Sequence, residues 1–303
     1  MFPFIEIFGK QISTYSICAL LGLFAVMYCV SKLARSRGME IEDPLISILV
    51  LIVPVALCGS LLFGLTNLDY FARIAENWDR YETLGQQIVA VLMGFGGEVF
   101  YGGFLGALLG MLVYCKVTKR PLGFHFDMLA VVTPLFHAFG RVGCFLSGCC
   151  FGVESPFGVV YTHATVELAN GVCRFPVQLL EAALNVGIFL VLLWLFRRNT
   201  QRARHASWMG DHSSEQGDKV GTLGVRWALS PEPIFGNGRL MFAYFLLYGT
   251  VRFLDEFLRG DVYRGFLGLL STSQWISLAL IAIVLVWLVV SNRSFFELSL
   301  RSR

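Results

Sequence analysis

The amino-acid sequence predicts an all-α, polytopic membrane protein with seven transmembrane helices, its N-terminus outside the membrane and its C-terminus in the cytoplasm. Three observations predict this class. Of the 303 residues, 56% are hydrophobic and 15% are charged, which is too apolar for an ordinary soluble domain. Apolar runs of about 20 residues, the length that crosses a bilayer, recur along the chain. The Lys and Arg residues concentrate on one set of connecting loops.

Seven apolar runs predict the membrane spans, and they cover residues 12–33, 44–66, 88–115, 124–147, 175–196, 239–258 and 271–290. The first run has no basic flank before it and no small-residue cleavage site after it, so we expect a retained helix. We expect residues 1–303 to form a single integral membrane domain. The polar 199–237 stretch predicts a mobile cytoplasmic loop.

The positive charges predict the orientation of these spans. With the N-terminus outside, fifteen Lys and Arg residues face the cytoplasm and five face the other side. This is the positive-inside bias of multi-pass membrane proteins. The net charge of +3 follows from this asymmetry and gives no reason to expect a nucleic-acid partner.

An arginine and a histidine lie in the fourth apolar run, in the segment HAFGRVGCFLSGCCFG. An arginine at mid-helix costs roughly 2.5–3.5 kcal/mol to insert, so it usually marks a polar cavity or a bound anion. His137 lies four residues before Arg141, on the same helical face. The plainer alternatives are an arginine that snorkels to the membrane boundary and a neutral histidine that packs between helices.

Two further segments carry candidate site residues. The glycines of GGEVFYGGFLGALLG predict close helix packing or a wall that lines a lipid headgroup, and Tyr101 within it predicts an interfacial anchor rather than a base. In the sixth run, Arg252 with Glu256 and Asp255 with Arg259 are potential i,i+4 ion pairs. These pairs predict either charge compensation at an interface or a second guanidinium suited to phosphate.

Five segments together resemble the bacterial prolipoprotein diacylglyceryl transferase family. In chain order they are ISTYSICALLG, GGEVFYGGFLG, GRVGCFLSGCCFG, RFPVQLLEA and YGTVRFLDEFLRGD. The resemblance implies a multi-pass enzyme of the bacterial cytoplasmic (inner) membrane with seven spans. It also implies transfer of the diacylglyceryl group of phosphatidylglycerol to the lipobox cysteine in the signal peptide of a preprolipoprotein. Glycerol phosphate leaves and a thioether forms.

The resemblance assigns roles to individual residues. Arg141 and Arg252 are expected to hold the lipid phosphate as catalytic residues, and Tyr101 stands at the position of the family's HGG histidine. His137 is the candidate base from our own reading of the residues, because it lies one turn from Arg141. The expected substrate-binding residues are Tyr15, Gly102, Gly103, Gly140, Gly143, Cys144, Gly152, Glu256 and Arg259. We predict no cofactor and no metal, and membrane lipid as a further partner.

The chain departs from the family signature GR-x-GNF-x-NGE. Cys144 and Ser147 stand at its two asparagines and Cys149 stands at its glutamate. Because a tyrosine with a pKa near ~10 is a poor base at neutral pH, His137, or secondarily His163, is the candidate replacement for the missing histidine.

Four cysteines are expected near the outer face: Cys144, Cys149, Cys150 and Cys173. They are compatible with two disulfides, a zinc site or free thiols. The adjacent pair lacks the C-x-x-C spacing of common zinc sites, which favours free thiols.

Two alternatives to the family's reaction remain open at this point. A related phospholipid-dependent transferase with a different acceptor would explain the polar-to-cysteine changes. A lipid-binding or transport protein without chemistry would keep the two arginines but form no product.

Overall fold

The computed structural model describes residues 1–97, 99–214, 238–261 and 265–301, and helices dominate this part of the chain. Its α-helices are α1 (Thr14–Ser36), α2 (Glu42–Val50), α3 (Ile52–Thr66), α4 (Leu68–Glu76), α5 (Leu84–Met93), α6 (Phe100–Thr118), α7 (Leu122–Ser147), α8 (Val177–Ser214), α9 (Leu240–Asp255) and α10 (Thr272–Arg301).

Six helical segments of the described chain are long and apolar enough to cross a membrane: Thr14–Ser36, Glu42–Thr66, Phe100–Thr118, Leu122–Ser147, Val177–Gln201 and Thr272–Val290. The all-α, multi-pass class is therefore confirmed. The remaining predicted span, 239–258, coincides with α9, which has 16 residues. At about 1.5 Å per residue α9 is about 24 Å long, somewhat short of a hydrocarbon core of about 30 Å. The count of seven spans and their orientation stay predictions.

The predicted run 88–115 is wrong as a single helix. Helix α5 ends at Met93 and α6 begins at Phe100. The glycines between them allow close packing of aromatic rings, because a Cβ on Gly94 would collide with the ring of Phe71 and one on Gly97 with the ring of Phe63. The break follows from these glycines, which the hydropathy of the run does not reveal.

Besides the predicted helices, the described residues form three small antiparallel sheets. They pair β1 (Phe4–Ile7) with β2 (Lys10–Ser13), β3 (Glu154–Val160) with β4 (Cys173–Arg174), and β5 (Phe266–Leu267) with β6 (Leu270–Ser271). Each lies in a segment that connects to or precedes a long helix. The β3–β4 segment has its own small core, formed by Phe151, Tyr161 and Ala169.

The described chain forms two compact units. The first comprises residues 1–37 and 127–303, and the second comprises residues 38–126. In the first unit α9 packs against both α8 and α10. The buried carboxylate of Asp127, on α7, accepts the backbone N–H of Leu240 at 3.0 Å. Because the N-terminus of a helix presents unpaired N–H groups and a positive dipole, this carboxylate stabilises the start of α9.

In the second unit α3 packs against α6. Gly102, Gly106 and Gly110 lie on one face of α6, and a Cβ on any of them would collide with α3 near Pro54 or Cys58. This is the small-residue packing of membrane helices. Elsewhere in the unit, the carboxylate of Asp43 accepts a hydrogen bond from Tyr114 at 2.7 Å, lies 3.0 Å from Arg120 and 3.3 Å from His125.

The predicted mobile loop 199–237 begins as helix, because α8 continues to Ser214. Residues 215–237 lie outside the described residues. The mobility of the loop stays a prediction.

Candidate active site

A cluster of buried ionisable side chains lies in the first unit. Its members are His137 and Arg141 on α7, Glu181 on α8, Arg252 and Asp255 on α9, and Glu256 directly after α9. None is more than 9% exposed. Because an unpaired buried charge costs several kcal/mol, the pairing within this cluster decides what it can do.

Arg141 is held by two partners. Its Nη2 lies 2.9 Å from Oε1 of Glu181, and its Nε donates to Nε2 of His137 at 3.2 Å. The same Nε2 lies 3.7 Å from Oε1 of Glu181. As the acceptor from Arg141, Nε2 carries no proton, so a neutral His137 ring has its proton on Nδ1. The predicted i,i+4 contact between His137 and Arg141 is therefore present.

Glu181 is the site residue that the sequence reasoning missed. Gln178, Glu181 and Asn185 form one buried polar face in the apolar first half of α8. The signal was available, because a carboxylate inside a membrane span normally pairs with a cation on another helix. The helix spacing of α8 alone does not say which cation that is.

Arg252 is also paired. Its Nη2 lies 2.7 Å from Oε2 of Glu256 and donates to Oγ of Ser273 on α10 at 3.1 Å. The predicted i,i+4 pair is therefore present. Nη1 of Arg252 is buried and has no hydrogen-bond partner in the described part of the chain. That group is a ready donor for an oxygen atom of a ligand.

The two arginines share one electrostatic environment. His137 and Asp255 each interact with both Arg141 and Arg252. The mutual repulsion of the guanidiniums is offset because each has its own carboxylate, Glu181 for Arg141 and Glu256 for Arg252. The cluster is thus a pair of neutralised guanidiniums rather than two bare cations.

The predicted direct ion pair between Asp255 and Arg259 does not form among the described residues, although the charge of Arg259 still acts on Asp255. Within the described residues Arg259 pairs with Asp261, with Nε donating to Oδ1 at 2.9 Å. The reason is that α9 ends at Asp255 and a single 3₁₀ turn follows. The i,i+4 geometry of an α-helix does not extend to Arg259.

Three of the predicted glycines, Gly140, Gly143 and Gly152, are close to Arg141 in sequence, but their surroundings differ. A Cβ on Gly143 would contact Tyr15 and Cys18 of α1, so α1 and α7 approach closely there. A Cβ on Gly140 would meet no side chain or backbone atom of another described segment within 4 Å. Gly152 packs against the carbonyl oxygens of Phe175 and Leu258, which leaves no room for a side chain.

Three other predicted residues belong to the second unit, and His163 lies on the surface of the first unit. Tyr101, Gly102 and Gly103 belong to the second unit, at the start of α6. Gly102 packs against Cys58, and Tyr101 is half-buried with its ring edge-on to Phe100. His163 is exposed, and its ring contacts Thr162 at 3.1 Å. The roles predicted for these residues stay predictions.

The sulfur atoms of Cys144, Cys149 and Cys150 lie within 4.8 Å of one another. Hydrogen bonds from the thiols of Cys144 and Cys149 place the pKa of Cys150 well below its usual range, and the nearby Arg141 and Arg259 lower that pKa further. The thiol of Cys149 donates in this network, so its pKa is raised. The sequence spacing did not predict this cluster, because the turn after α7 folds Cys149 back onto Cys144.

Comparison of the sequence with known proteins identifies its family. The sequence model of the family described as "Prolipoprotein diacylglyceryl transferase" matches residues 3–210 and 218–290. A phosphatidylglycerol–prolipoprotein diacylglyceryl transferase from Clostridium tetani is 28% identical over 92% of this chain and 92% of its own length. Another from Clostridium perfringens is 28% identical over 90% of this chain and 88% of its own length. A third, from Xanthomonas oryzae, is 33% identical over 66% of this chain and 62% of its own length. The chain therefore belongs to the prolipoprotein diacylglyceryl transferase family.

Proposed function

We propose that this protein transfers the diacylglyceryl group of phosphatidylglycerol to the lipobox cysteine of preprolipoproteins. The observation that carries the proposal is the buried cluster in which Arg141 and Arg252 share one environment. Family membership and the curated relatives' names, which specify phosphatidylglycerol and prolipoprotein, support the same reaction.

In the proposed reaction the two arginines bind the phosphate of the lipid. The recorded bonds of Arg141 use Nε and Nη2, and those of Arg252 use Nη2. Each arginine therefore keeps Nη1 for a phosphate oxygen. Donors fixed in a water-poor site stabilise the charge that develops on a departing phosphate, which is usually the largest catalytic contribution.

The group transfer is a substitution at carbon. The sulfur of the acceptor cysteine attacks the glyceryl carbon, the C–S bond forms, and the C–O bond to phosphate breaks with its electron pair going to the oxygen. Glycerol phosphate leaves, and the thiol proton goes to a base. His137 is the proposed base, because its Nε2 carries no proton and can take one when it releases the hydrogen bond from Nε of Arg141, while Nη1 of Arg141 holds the phosphate.

A reconstituted assay tests the proposed function. We expect the purified protein, with phosphatidylglycerol and a lipobox peptide, to release glycerol phosphate and to form the diacylglyceryl thioether. A peptide with serine in place of the lipobox cysteine is the control and should give neither product. Release with a different thiol alone would instead identify a related transferase with another acceptor. A copurified lipid without any phosphate product would identify a lipid-binding or transport protein.

The spans make this a multi-pass membrane protein, and we propose the bacterial cytoplasmic membrane with the N-terminus outside and the C-terminus in the cytoplasm. Fifteen of the Lys and Arg residues face the cytoplasm in this orientation. A fluorescent protein fused after Arg303 should therefore be bright, and an alkaline phosphatase fused there should be inactive. The opposite pattern would place the C-terminus outside, which contradicts either the external N-terminus or the odd number of spans.

A further inference from the structure

We propose that Cys144, Cys149 and Cys150 form a three-thiolate binding site for a thiophilic metal ion of the Zn²⁺ or Cu⁺ class. The three sulfur atoms lie within 4.8 Å of one another. A metal–sulfur bond of about 2.3 Å places the sulfur atoms of a three-thiolate site about 4 Å apart. The thiols thus need to move little to bind one ion.

The backbone holds the three thiols in place before any ion binds. The N–H of Cys149 donates to the carbonyl of Cys144 at 3.1 Å, which closes the turn after α7. Gly148 and Cys150 both have positive φ, 74° and 54°. A left-handed residue other than glycine is uncommon and is held only by its surroundings. The turn is therefore built to present Cys149 and Cys150 toward Cys144.

Buried side chains from α8 and from the segment after β3 fix the same turn. The amide of Gln178 donates to the carbonyl of Cys149 at 2.8 Å, and the hydroxyl of Tyr161 donates to Oε1 of Gln178 at 3.1 Å. Both Gln178 and Tyr161 are buried. Partners behind the ligand-bearing residues commonly orient metal sites and contribute 10–100-fold to affinity.

The chemistry of the ligand set selects the class of ion. Thiolates are soft ligands that favour Zn²⁺ and Cu⁺ over hard ions such as Mg²⁺ or Ca²⁺. The guanidiniums of Arg141 and Arg259 lie near the cluster and offset the negative charge of three thiolates. Among the described residues the group has three ligand side chains, so one position of a tetrahedral Zn²⁺ stays open for water or an added thiol.

The test uses the full-length protein, purified under a phosphine reductant that leaves the thiols reduced. We expect one Co²⁺ per chain to bind and to show thiolate charge-transfer absorption, and one Zn²⁺ per chain to displace it. Cu⁺ is measured separately, without oxygen, by competition with a coloured chelator. Failure of all three ions to bind in a one-to-one ratio would overturn the proposal.

Variants locate the site. The Cys149→Ser variant should bind at least about tenfold more weakly, since even partners behind the ligands contribute that much. Cys173→Ser is the matched control. Cys173 is half-buried like the three cluster thiols and also precedes α8 in the chain, but it lies outside the cluster. It should bind as the parent does. Equal binding by Cys149→Ser would contradict the assignment.

Two measurements keep the test decisive. If Cys149→Ser fails to fold, the Cys173→Ser protein is alkylated with and without bound Co²⁺, and mass spectrometry should show that the ion protects Cys144, Cys149 and Cys150; equal alkylation of these three in both samples would contradict the site. Mass spectrometry of protein isolated without reductant reports the native state of the three thiols. A disulfide among them in that protein would overturn the metal site. Since these readouts do not use activity, they remain separate from the test of the transferase reaction.

Discussion

Replacing Arg141 with alanine is expected to lower kcat/KM for diacylglyceryl transfer by about 10²–10³-fold, the usual cost of removing one donor that stabilises a developing oxyanion. The variant loses the guanidinium that His137 and Glu181 position in the buried cluster. The reconstituted assay with phosphatidylglycerol and lipobox peptide measures this change. Arg252→Ala should have an effect of similar size, because its free Nη1 is the second proposed phosphate donor.

Two controls separate this effect from general damage. Arg141→Lys keeps the positive charge but loses the planar fork, so its loss of activity should be smaller than that of alanine but still clear. Arg80→Ala removes an exposed arginine outside the cluster and should leave the rate unchanged. A folded Arg141→Ala protein that transfers at the parental rate would remove Arg141 from the mechanism.

Replacing Glu181 with leucine is expected to destabilise the folded protein by about 3–5 kcal/mol, the cost of leaving a buried charge without its partner. Arg141 would lose the carboxylate 2.9 Å from its Nη2 while remaining buried at 9% exposure. A drop in Tm of about 10 °C should result for a chain of this size. Thermal unfolding in detergent, followed by the loss of monodisperse protein, measures it.

A double-mutant cycle identifies the cause of this loss. Glu181→Gln keeps the size and a hydrogen-bond acceptor, so it should cost less than leucine. The double variant Arg141→Met with Glu181→Leu removes both charges and should recover most of the lost stability, as happens when a buried ion pair is replaced by apolar side chains. Additive losses in the double variant would show that the two residues do not form an energetically coupled pair.

The long apolar runs predicted most of the helices because a bilayer demands about 20 apolar residues of a span. The predicted single helix over 88–115 was wrong, because packing at glycines breaks it although its hydropathy is high. Residues 94–97 are glycine-rich, and the rings of Phe71 and Phe63 fill the space that side chains on Gly94 and Gly97 would occupy. Helix boundaries set by such tertiary packing are not visible in the period or hydropathy of the sequence.

Local contacts of the site were predictable, and contacts between distant segments were not. The i,i+4 spacing gave both His137 with Arg141 and Arg252 with Glu256. It failed at Arg259, since the helix ends before that residue. Glu181 reaches Arg141 from another helix, so its partner depends on how α7 and α8 pack. The thiol cluster depends on a turn with two left-handed residues that the spacing of cysteines does not encode.

The contact between Asp127 and Leu240 has a consequence for biogenesis. The two residues are 113 positions apart in the chain, so α7 enters the bilayer long before its partner is synthesised. A nascent chain that ends after α8 therefore has this carboxylate without the backbone N–H that it accepts in the folded protein. The contact forms only after Leu240 has been synthesised, so the start of α9 is fixed late in folding.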